Sequence, residues 1–243
     1  MIISHRHRFI FVQVPQTGCT AIGSYLLDNV DCESVISKHT TIETAYHQLD
    51  HDVRSYAVVA SVRNPIDQVM SSFYKLKSDH HGELEAAADD GGASIKANRM
   101  ERLEWAADPA HGFDDYVLTF LRKPYAPIWL GSMRRADQLL RFESLADDFD
   151  RARAALGCPD GPPLAYANRT SRPRDDLQID AVSGPARAQL LRMCGPFMRE
   201  WGYSEPDGWP APDAHPATSL AYWAIPRLKV ARKDIRRRTR RFR

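Results

Sequence analysis

A short turn between an apolar strand and a helix carries the residues whose types and spacing are best suited to chemistry. The strand is Phe9-Ile-Phe-Val12, the turn is Pro15-Gln-Thr-Gly-Cys-Thr20, and a helical pattern opens at Ala21. The N–H groups of such a turn and the N-terminus of the helix converge on one point, where the helix dipole favours negative charge. The pattern predicts an anion cradle, and the alternative is an ordinary strand-to-helix turn. It is not a Walker A loop, because the spacing G-x-x-x-x-G-K-S/T is absent.

A second junction between a strand and a helix adds an arginine and a hydroxyl group. Ser55-Tyr-Ala-Val-Val-Ala-Ser-Val62 is an apolar run with the length of a buried strand. Arg63 would leave the carboxyl end of this strand, where open α/β sheets bind ligands, and Pro65 is well placed to start a helix. Ser71 lies about two helical turns further on, so that Arg63 and Ser71 could bind one phosphate. The alternative for Arg63 is an ordinary surface arginine before a helix.

Together the two segments resemble the signatures of sulfotransferases that use 3′-phosphoadenosine 5′-phosphosulfate (PAPS), above all the bacterial and Golgi carbohydrate branch. The signature Phe-x-x-Val-Pro-Lys-Thr-Gly-(Gly/Cys)-Thr is similar to residues 11–20, which read Phe-Val-Gln-Val-Pro-Gln-Thr-Gly-Cys-Thr. The signature Phe-Val-Arg-Asn-Pro-x-(Asp)-Arg-x-x-Ser is similar to residues 61–71, which read Ser-Val-Arg-Asn-Pro-Ile-Asp-Gln-Val-Met-Ser. Weaker similarities follow at residues 139–145, 168–171 and 197–203, so the resemblance covers roughly residues 8 to 204.

The resemblance implies a role for each matching residue. Arg63 and Ser71 would hold the 3′-phosphate of PAPS, and Asn168 and Arg169 of the late loop would complete the nucleotide site. The reaction would be in-line transfer of a sulfuryl group to a hydroxyl or amine, which needs charge neutralisation on the leaving phosphate and a base. The residues that would hold the 5′-phosphosulfate are Pro15, Gln16, Thr17, Gly18, Cys19 and Thr20.

One residue departs from the family's first signature, because Gln16 stands where the family has a lysine. Gln16 can donate a hydrogen bond to the leaving group, but it brings no charge. Loss of one transition-state donor of this kind typically costs about 10² to 10³ in rate. Three interpretations remain open. Another cation, such as Lys38 or Arg169, substitutes; turnover is weak; or the chain only binds the nucleotide.

The base that would accept the proton of the acceptor is predicted from the segment between the two signatures. Residues 38–45 read Lys-His-Thr-Thr-Ile-Glu-Thr-Ala, which resembles the Lys-His-x-(Ser/Thr)-x-x-Glu segment of the bacterial branch. His39 is the predicted base, since an imidazole ordinarily titrates near neutral pH. Glu33 and Glu43 are alternatives, because other sulfotransferase branches use a glutamate.

Length and composition agree with a single α/β domain. The chain has 243 residues, of which 43% are hydrophobic, enough for a sizeable core. The resemblance implies a three-layer P-loop-like sulfotransferase fold with a mostly parallel central sheet over residues 1–205. No apolar run is long enough to span a membrane, and the N-terminus leads directly into the first strand, so we expect a cytoplasmic protein. The four cysteines show no zinc spacing, and no metal is expected.

The C-terminal part of the chain differs in composition from the rest. Residues 206–226 are rich in proline and are predicted to be a linker. Residues 227–243 contain ten Lys or Arg and one Asp, a net charge of +9, whereas the whole chain carries +2. This basic tail is predicted to contact an anionic membrane, at the inner membrane face, or another polyanion; a solubilising tail is the alternative. Specific binding of nucleic acid is not expected, because the remaining chain is acidic and carries no nucleic-acid motif.

The acceptor is expected to be a carbohydrate or glycolipid hydroxyl. Five aromatic residues in the insert before the third signature could stack on a sugar or pack in the core: Trp105, Phe113, Tyr116, Tyr125 and Trp129. The sequence therefore predicts a PAPS-dependent sulfotransferase. A catalytically weak PAPS-fold binding protein is the alternative that Gln16 favours. A nucleoside-phosphate kinase is disfavoured, because both a Walker A loop and a turn lysine are missing.

Overall fold

A computed structural model describes residues 1–49, 51–90, 97–165, 179–210, 216–225 and 228. The predicted site residues Asn168 and Arg169 and nearly all of the basic tail lie outside the described residues. The described residues divide into two compact units. The first lies within Met1–Asn64, Ala126–Arg169 and Trp223–Arg243, and the second within Pro65–Tyr125 and Thr170–Tyr222.

Five strands and most of the helices lie within the first 155 residues of the chain. The strands are β1 (Ile2–Ser4), β2 (Phe9–Val12), β3 (Glu33–Ser34), β4 (Ala57–Val62) and β5 (Gln138–Arg141). The α-helices are α1 (Cys19–Asn29), α2 (Ile42–Tyr46), α3 (Pro65–Lys77), α4 (Glu83–Asp90), α5 (Ala97–Ala107), α6 (Phe113–Phe120), α7 (Leu130–Arg134), α8 (Leu145–Ala155) and α9 (Gly184–Trp201).

The first unit contains one sheet whose described strands lie in the order β3-β1-β2-β4-β5. The pairs β2–β4 and β4–β5 are parallel, whereas β1 is antiparallel to both β2 and β3. The α/β class is confirmed, whereas the mostly parallel sheet is not, because the described sheet is mixed with two parallel and two antiparallel strand pairs. The reason is local: the few residues between β1 and β2 can close a hairpin, whereas a parallel pair needs a crossover of a dozen or more residues.

The register of the parallel strands determines which residues meet at the edge of the sheet. Val12, the last residue of β2, pairs with Ala60 of β4, and Val62, the last residue of β4, pairs with Arg141 of β5. Because parallel strands end at the same edge, the turn after β2 and Arg63 after β4 lie at neighbouring positions there.

Helices α1 and α8 cover one face of this sheet. The Tyr25 ring of α1 meets the Phe149 ring of α8 edge to face, with ring centroids 5.0 Å apart. Gly18, immediately before α1, has φ of 77°, and a Cβ there would lie 2.3 Å from Leu145 Cδ2. The left-handed φ favours a glycine here, and the contact with the Leu145 side chain adds to that preference. Buried side chains of this core are Ile2, Phe9, Phe11, Ile22, Leu26, Val59, Leu140 and Ala152.

The second unit contains helices α3, α4, α5, α6 and α9. Helix α3 begins at Pro65, as predicted, because proline is tolerated in the first helical turn. The Phe73 ring lies close to the rings of Phe113 and Tyr116, with centroids 5.7 and 5.4 Å away. Further buried side chains are Ile66, Met70, Leu103, Val117, Leu190 and Met198.

Part of the predicted proline-rich linker over residues 206–226 is helical. Residues 216–225 are helical, which places Pro216 at the helix start, where proline fits well. In the second unit Tyr222 is buried, its hydroxyl donates a hydrogen bond to Glu200, and its ring meets the Phe197 ring at 6.5 Å. The described part of this segment is therefore partly helical, and the linker assignment of residues 206–226 stays a prediction. Throughout the described ranges, no helix is both long and apolar enough to cross a membrane.

Candidate functional site

The segment between β2 and the first residues of α1, residues 13–20 and called the turn from here on, has the backbone shape that an anion cradle needs. Gln16 and Gly18 both lie in the left-handed region, with φ of 62° and 77°. A hydrogen bond from Val14 N to Val12 O at 2.9 Å lies at the start of the turn, and Ile22 N donates to Gly18 O as α1 begins. The first N–H groups of an α-helix have no partner within the helix, and its dipole favours negative charge there. The described first turn of α1 contains no acidic residue that would repel an anion.

The hydroxyl group of Thr17 faces the protein interior. Its Oγ1 donates to Val14 O at 2.8 Å and is hydrogen-bonded to Ser61 Oγ of β4. Both side chains are fully buried. Thr17 therefore ties the turn to the neighbouring strand, and any contact of Thr17 with an anion would be made by its backbone.

Arg63 is packed against the same turn. Its Nη1 donates a hydrogen bond to Gln16 O at 2.8 Å, and its guanidinium lies 4.0 Å from the centre of the Phe142 ring. The residue is only 7% exposed. The next residue, Asn64, donates its N–H to Glu143 Oε1 at 2.7 Å. These contacts fix a permanent positive charge at the edge of the sheet where the turn lies.

Lys38 brings a second cation to the turn. Its Nζ donates to Thr20 Oγ1 at 3.0 Å, although the two residues are 18 positions apart in sequence. The side chain is exposed. The main-chain nitrogen of Met1 lies in the same region, since it donates to Gln13 Oε1 at 3.0 Å and to Ser37 O at 3.4 Å.

His39 contacts the other end of the turn. Its Nδ1 lies 2.7 Å from Gln13 O. A carbonyl oxygen can only accept, so Nδ1 carries the proton and Nε2 carries the lone pair of the neutral ring. His39 has φ of 65°, and Trp129 Nε1 donates to its carbonyl oxygen at 2.9 Å. Two hydrogen bonds thus hold a residue whose backbone is in a conformation that side chains rarely adopt.

The two glutamates predicted as alternative bases lie in other surroundings. Glu33 of β3 is exposed, and its Oε1 is 3.2 Å from His5 Nε2. The Glu43 carboxylate lies against Gly131, where a Cβ would be 2.3 Å from Oε1, and Arg135 Nη1 is 3.6 Å away. Its Oε2 is buried without a hydrogen-bond partner. Of the three predicted bases, His39 is the one that the structure joins to the turn by a hydrogen bond.

The remaining predicted nucleotide residues are not brought together with the turn by described contacts. Ser71 is fully buried in α3, within the second unit. Asn168 and Arg169 lie outside the described residues. Their assignments stay predictions. Among the described residues, no group of three or more His, Cys, Asp or Glu side chains is placed to hold a metal ion.

The aromatic residues of the insert divide by environment. Phe113 and Tyr116 are buried in the core of the second unit, and the Tyr125 hydroxyl donates to Gln68 Oε1. The Trp105 ring is stacked on the His111 ring, with centroids 4.0 Å apart and planes 3° apart. Packing is therefore the observed role of these residues.

The sequence analysis missed two residues that position His39. Gln13 supplies the carbonyl that fixes its imidazole, and Trp129 supplies the N–H that fixes its backbone. Gln13 is only 7% exposed. Because both contacts end on backbone carbonyl groups, which any residue provides, the sequence carried no signal for them.

Comparison with known proteins gives one match. The family model described as "Sulfotransferase family" matches residues 1–163. No curated protein and no solved structure matches the chain. The matched range covers about two thirds of the chain and includes the turn, Lys38, His39 and Arg63.

Proposed function

The chain belongs to the sulfotransferase family, and we propose that it transfers a sulfuryl group from PAPS to a hydroxyl of a carbohydrate or glycolipid. One observation supports this proposal most strongly. The predicted base and the predicted phosphate-binding arginine both hydrogen-bond to carbonyl groups of the same turn, His39 to Gln13 O and Arg63 to Gln16 O. A base and a cation at one anion-binding turn are what sulfuryl transfer requires.

The turn would hold the 5′-phosphosulfate of PAPS. Backbone N–H groups over residues 16–20, which include the N-terminus of α1, favour an anion there. The phosphate–sulfate anhydride supplies the activated sulfur. The protein's task is to align it with the acceptor oxygen and to stabilise the charge that develops on the leaving phosphate.

Arg63 would take the 3′-phosphate, with Ser71 as its predicted partner. The guanidinium offers several donors in a fixed plane, which suits a phosphate. Asn168 and Arg169 would contribute further nucleotide contacts. The assignments of Ser71, Asn168 and Arg169 rest on the similarity of their sequence segments to those of the family.

His39 would act as the base. Its Nε2 would take the proton of the acceptor hydroxyl as that oxygen attacks the sulfur. The proton on Nδ1 is held by Gln13 O at 2.7 Å, which fixes the tautomer and stabilises the imidazolium that forms. No metal is needed for either task.

A second candidate function is nucleotide binding with weak turnover, which Gln16 favours. The amide of Gln16 cannot provide the charge that the family's lysine brings to the leaving group. A nucleoside-phosphate kinase is a poorer candidate, since the turn has neither the spacing nor the lysine of a Walker A loop.

Ligand-induced stabilisation against heat tests the proposal. Adenosine 3′,5′-bisphosphate at 100 times its Kd should stabilise the fold by about 2.7 kcal/mol, whereas ATP should have little effect. Stabilisation by ATP alone would contradict the proposal. Release of bisphosphate from PAPS in the presence of a panel of oligosaccharides and glycolipids would then separate transfer from mere binding.

A further inference from the structure

Lys38 lies where it could supply the positive charge that Gln16, in place of the family's lysine, does not bring to the leaving group. The turn itself, residues 13–20, contains no Lys or Arg. The Nζ of Lys38 nevertheless reaches its end, 3.0 Å from Thr20 Oγ1. We propose that Lys38 is a catalytic residue that neutralises the leaving 5′-phosphate and so replaces the missing turn lysine. This inference rests on the proposed function.

The contact between Lys38 and Thr20 places the lysine at the N-terminus of α1. Thr20 is the second residue of α1, an eleven-residue helix whose N-terminal dipole favours an anion. A cation held at this hydroxyl therefore lies beside the place where the leaving phosphate would be bound. Because Lys38 is exposed, a ligand could reach its ammonium group without a change in the fold.

The charges around Lys38 also favour an anion. In the described ranges its ammonium makes no ion pair with a carboxylate. The charge of this ammonium group is therefore available to an anion bound at the start of α1.

Arg63 is less suited to this task. Its guanidinium is already fixed by Gln16 O at 2.8 Å and by the Phe142 ring. A lysine has a compact charge on a flexible stem, so it can follow the leaving oxygen as charge develops. Within residues 1–64 and 126–169, Lys38 is the sole lysine of the sequence.

In the proposed transfer step, the sulfuryl group moves from the 5′-phosphate to the acceptor oxygen. The bond between sulfur and the bridging oxygen breaks, and a bond between sulfur and the acceptor oxygen forms. The acceptor proton moves to His39 Nε2. The electron pair of the broken bond stays on the 5′-phosphate oxygen, whose charge the Lys38 ammonium neutralises while it keeps its own proton.

Binding measurements by titration calorimetry separate this role from a structural one. Lys38→Gln should weaken binding of adenosine 3′,5′-bisphosphate by about tenfold or more, as expected for a lost hydrogen bond to a charged group. Binding of adenosine 3′-monophosphate should stay within about twofold, because that ligand lacks the 5′-phosphate that Lys38 contacts. Lys38→Arg, which keeps the charge, should retain most of the affinity, and the exposed Lys123→Gln in the second unit is the matched control.

Rescue provides the decisive test. Lys38→Gln should lower the transfer rate by about 10²-fold, and the added substitution Gln16→Lys should restore most of that loss. Failure of Gln16→Lys to rescue, or equal weakening of both adenosine ligands by Lys38→Gln, would overturn the inference. If the unaltered protein binds neither adenosine ligand, the proposed function fails first. If it binds both and Lys38→Gln changes nothing, only the role of Lys38 is wrong.

Discussion

The indole Nε1 of Trp129 donates a hydrogen bond to the carbonyl oxygen of His39, 2.9 Å away and 90 residues distant in sequence. The two rings meet edge to face, with centroids 6.2 Å apart. Trp129 comes directly before α7, so the end of the insert fixes the loop that carries the predicted base. The position of His39 therefore depends on two separate parts of the first unit.

Removing the hydrogen bond between Trp129 and His39 should lower the transfer rate without changing nucleotide affinity. Trp129→Phe keeps an aromatic ring but deletes the N–H group that holds His39 at its positive φ. We expect kcat to fall by roughly tenfold, since misplacing a catalytic group by about 1 Å can cost up to 10² in rate. The Kd of adenosine 3′,5′-bisphosphate should not change. Trp223→Phe, at an exposed tryptophan, is the control; a loss of nucleotide affinity in Trp129→Phe would assign the indole to the turn instead.

Replacing His39 should remove the transfer activity and leave nucleotide affinity intact. His39→Ala should abolish transfer while bisphosphate binding stays nearly intact, because a base acts on the acceptor and not on the bound phosphate. Single-turnover rates together with calorimetric Kd values would measure both effects. Activity that survives in His39→Ala would transfer the role to Glu33 or Glu43, which the corresponding glutamine variants would then distinguish.

Arg63 should matter for both affinity and stability. Arg63→Ala should weaken bisphosphate binding by about 1.5–3 kcal/mol, the range for a hydrogen bond to a charged group. It should also lower Tm, because the Gln16 carbonyl and the Phe142 ring lose their partner. Ser71→Ala should cost about 1 kcal/mol in binding. Unchanged Kd values in both variants, measured by calorimetry well below Tm, would refute the assignment of the 3′-phosphate.

Two C-terminal truncations should behave differently. Deletion of residues 227–243 should leave Tm and nucleotide binding unchanged, because Tyr222 keeps its contacts with Glu200 and Phe197. Deletion from residue 206 onward removes that buried tyrosine and should destabilise the protein by about 3–5 kcal/mol, as for loss of a buried aromatic side chain.

The shorter truncation also tests the proposed anionic partner of the tail. It removes a net charge of +9 and should weaken flotation with phosphatidylserine vesicles. Added salt should weaken binding of the full chain in the same way. Equal flotation of both proteins would exclude the tail as the membrane contact.

The sequence predicted those parts of the fold whose signals are local. The apolar runs before Pro15 and Arg63 predicted β2 and β4, and Pro65 predicted the start of α3. Strand β1, residues Ile2–Ser4, was missed because three residues show no periodicity. That short strand makes the sheet mixed.

The site was predictable only as far as its motifs extend. Turn residues, Lys38, His39 and Arg63 lie in recognisable segments. The hydrogen bonds from Trp129 to His39 O and from His39 to Gln13 O involve backbone carbonyls, which any residue provides, so the sequence carries no mark of them. Distances along the chain of 90 and 26 residues place such contacts beyond the range of pattern analysis.

The packing of Arg63 places the entropic cost of ordering its side chain on folding and not on ligand binding. An arginine side chain has about 2 kcal/mol of rotamer entropy, which is lost when one conformation is imposed. The Gln16 carbonyl and the Phe142 ring impose that conformation within the fold itself. A phosphate arriving at the guanidinium would meet a preorganised donor plane and would not have to order it. The entropy of ordering this side chain is therefore already lost on folding and does not lower the affinity for an anion that fits the plane.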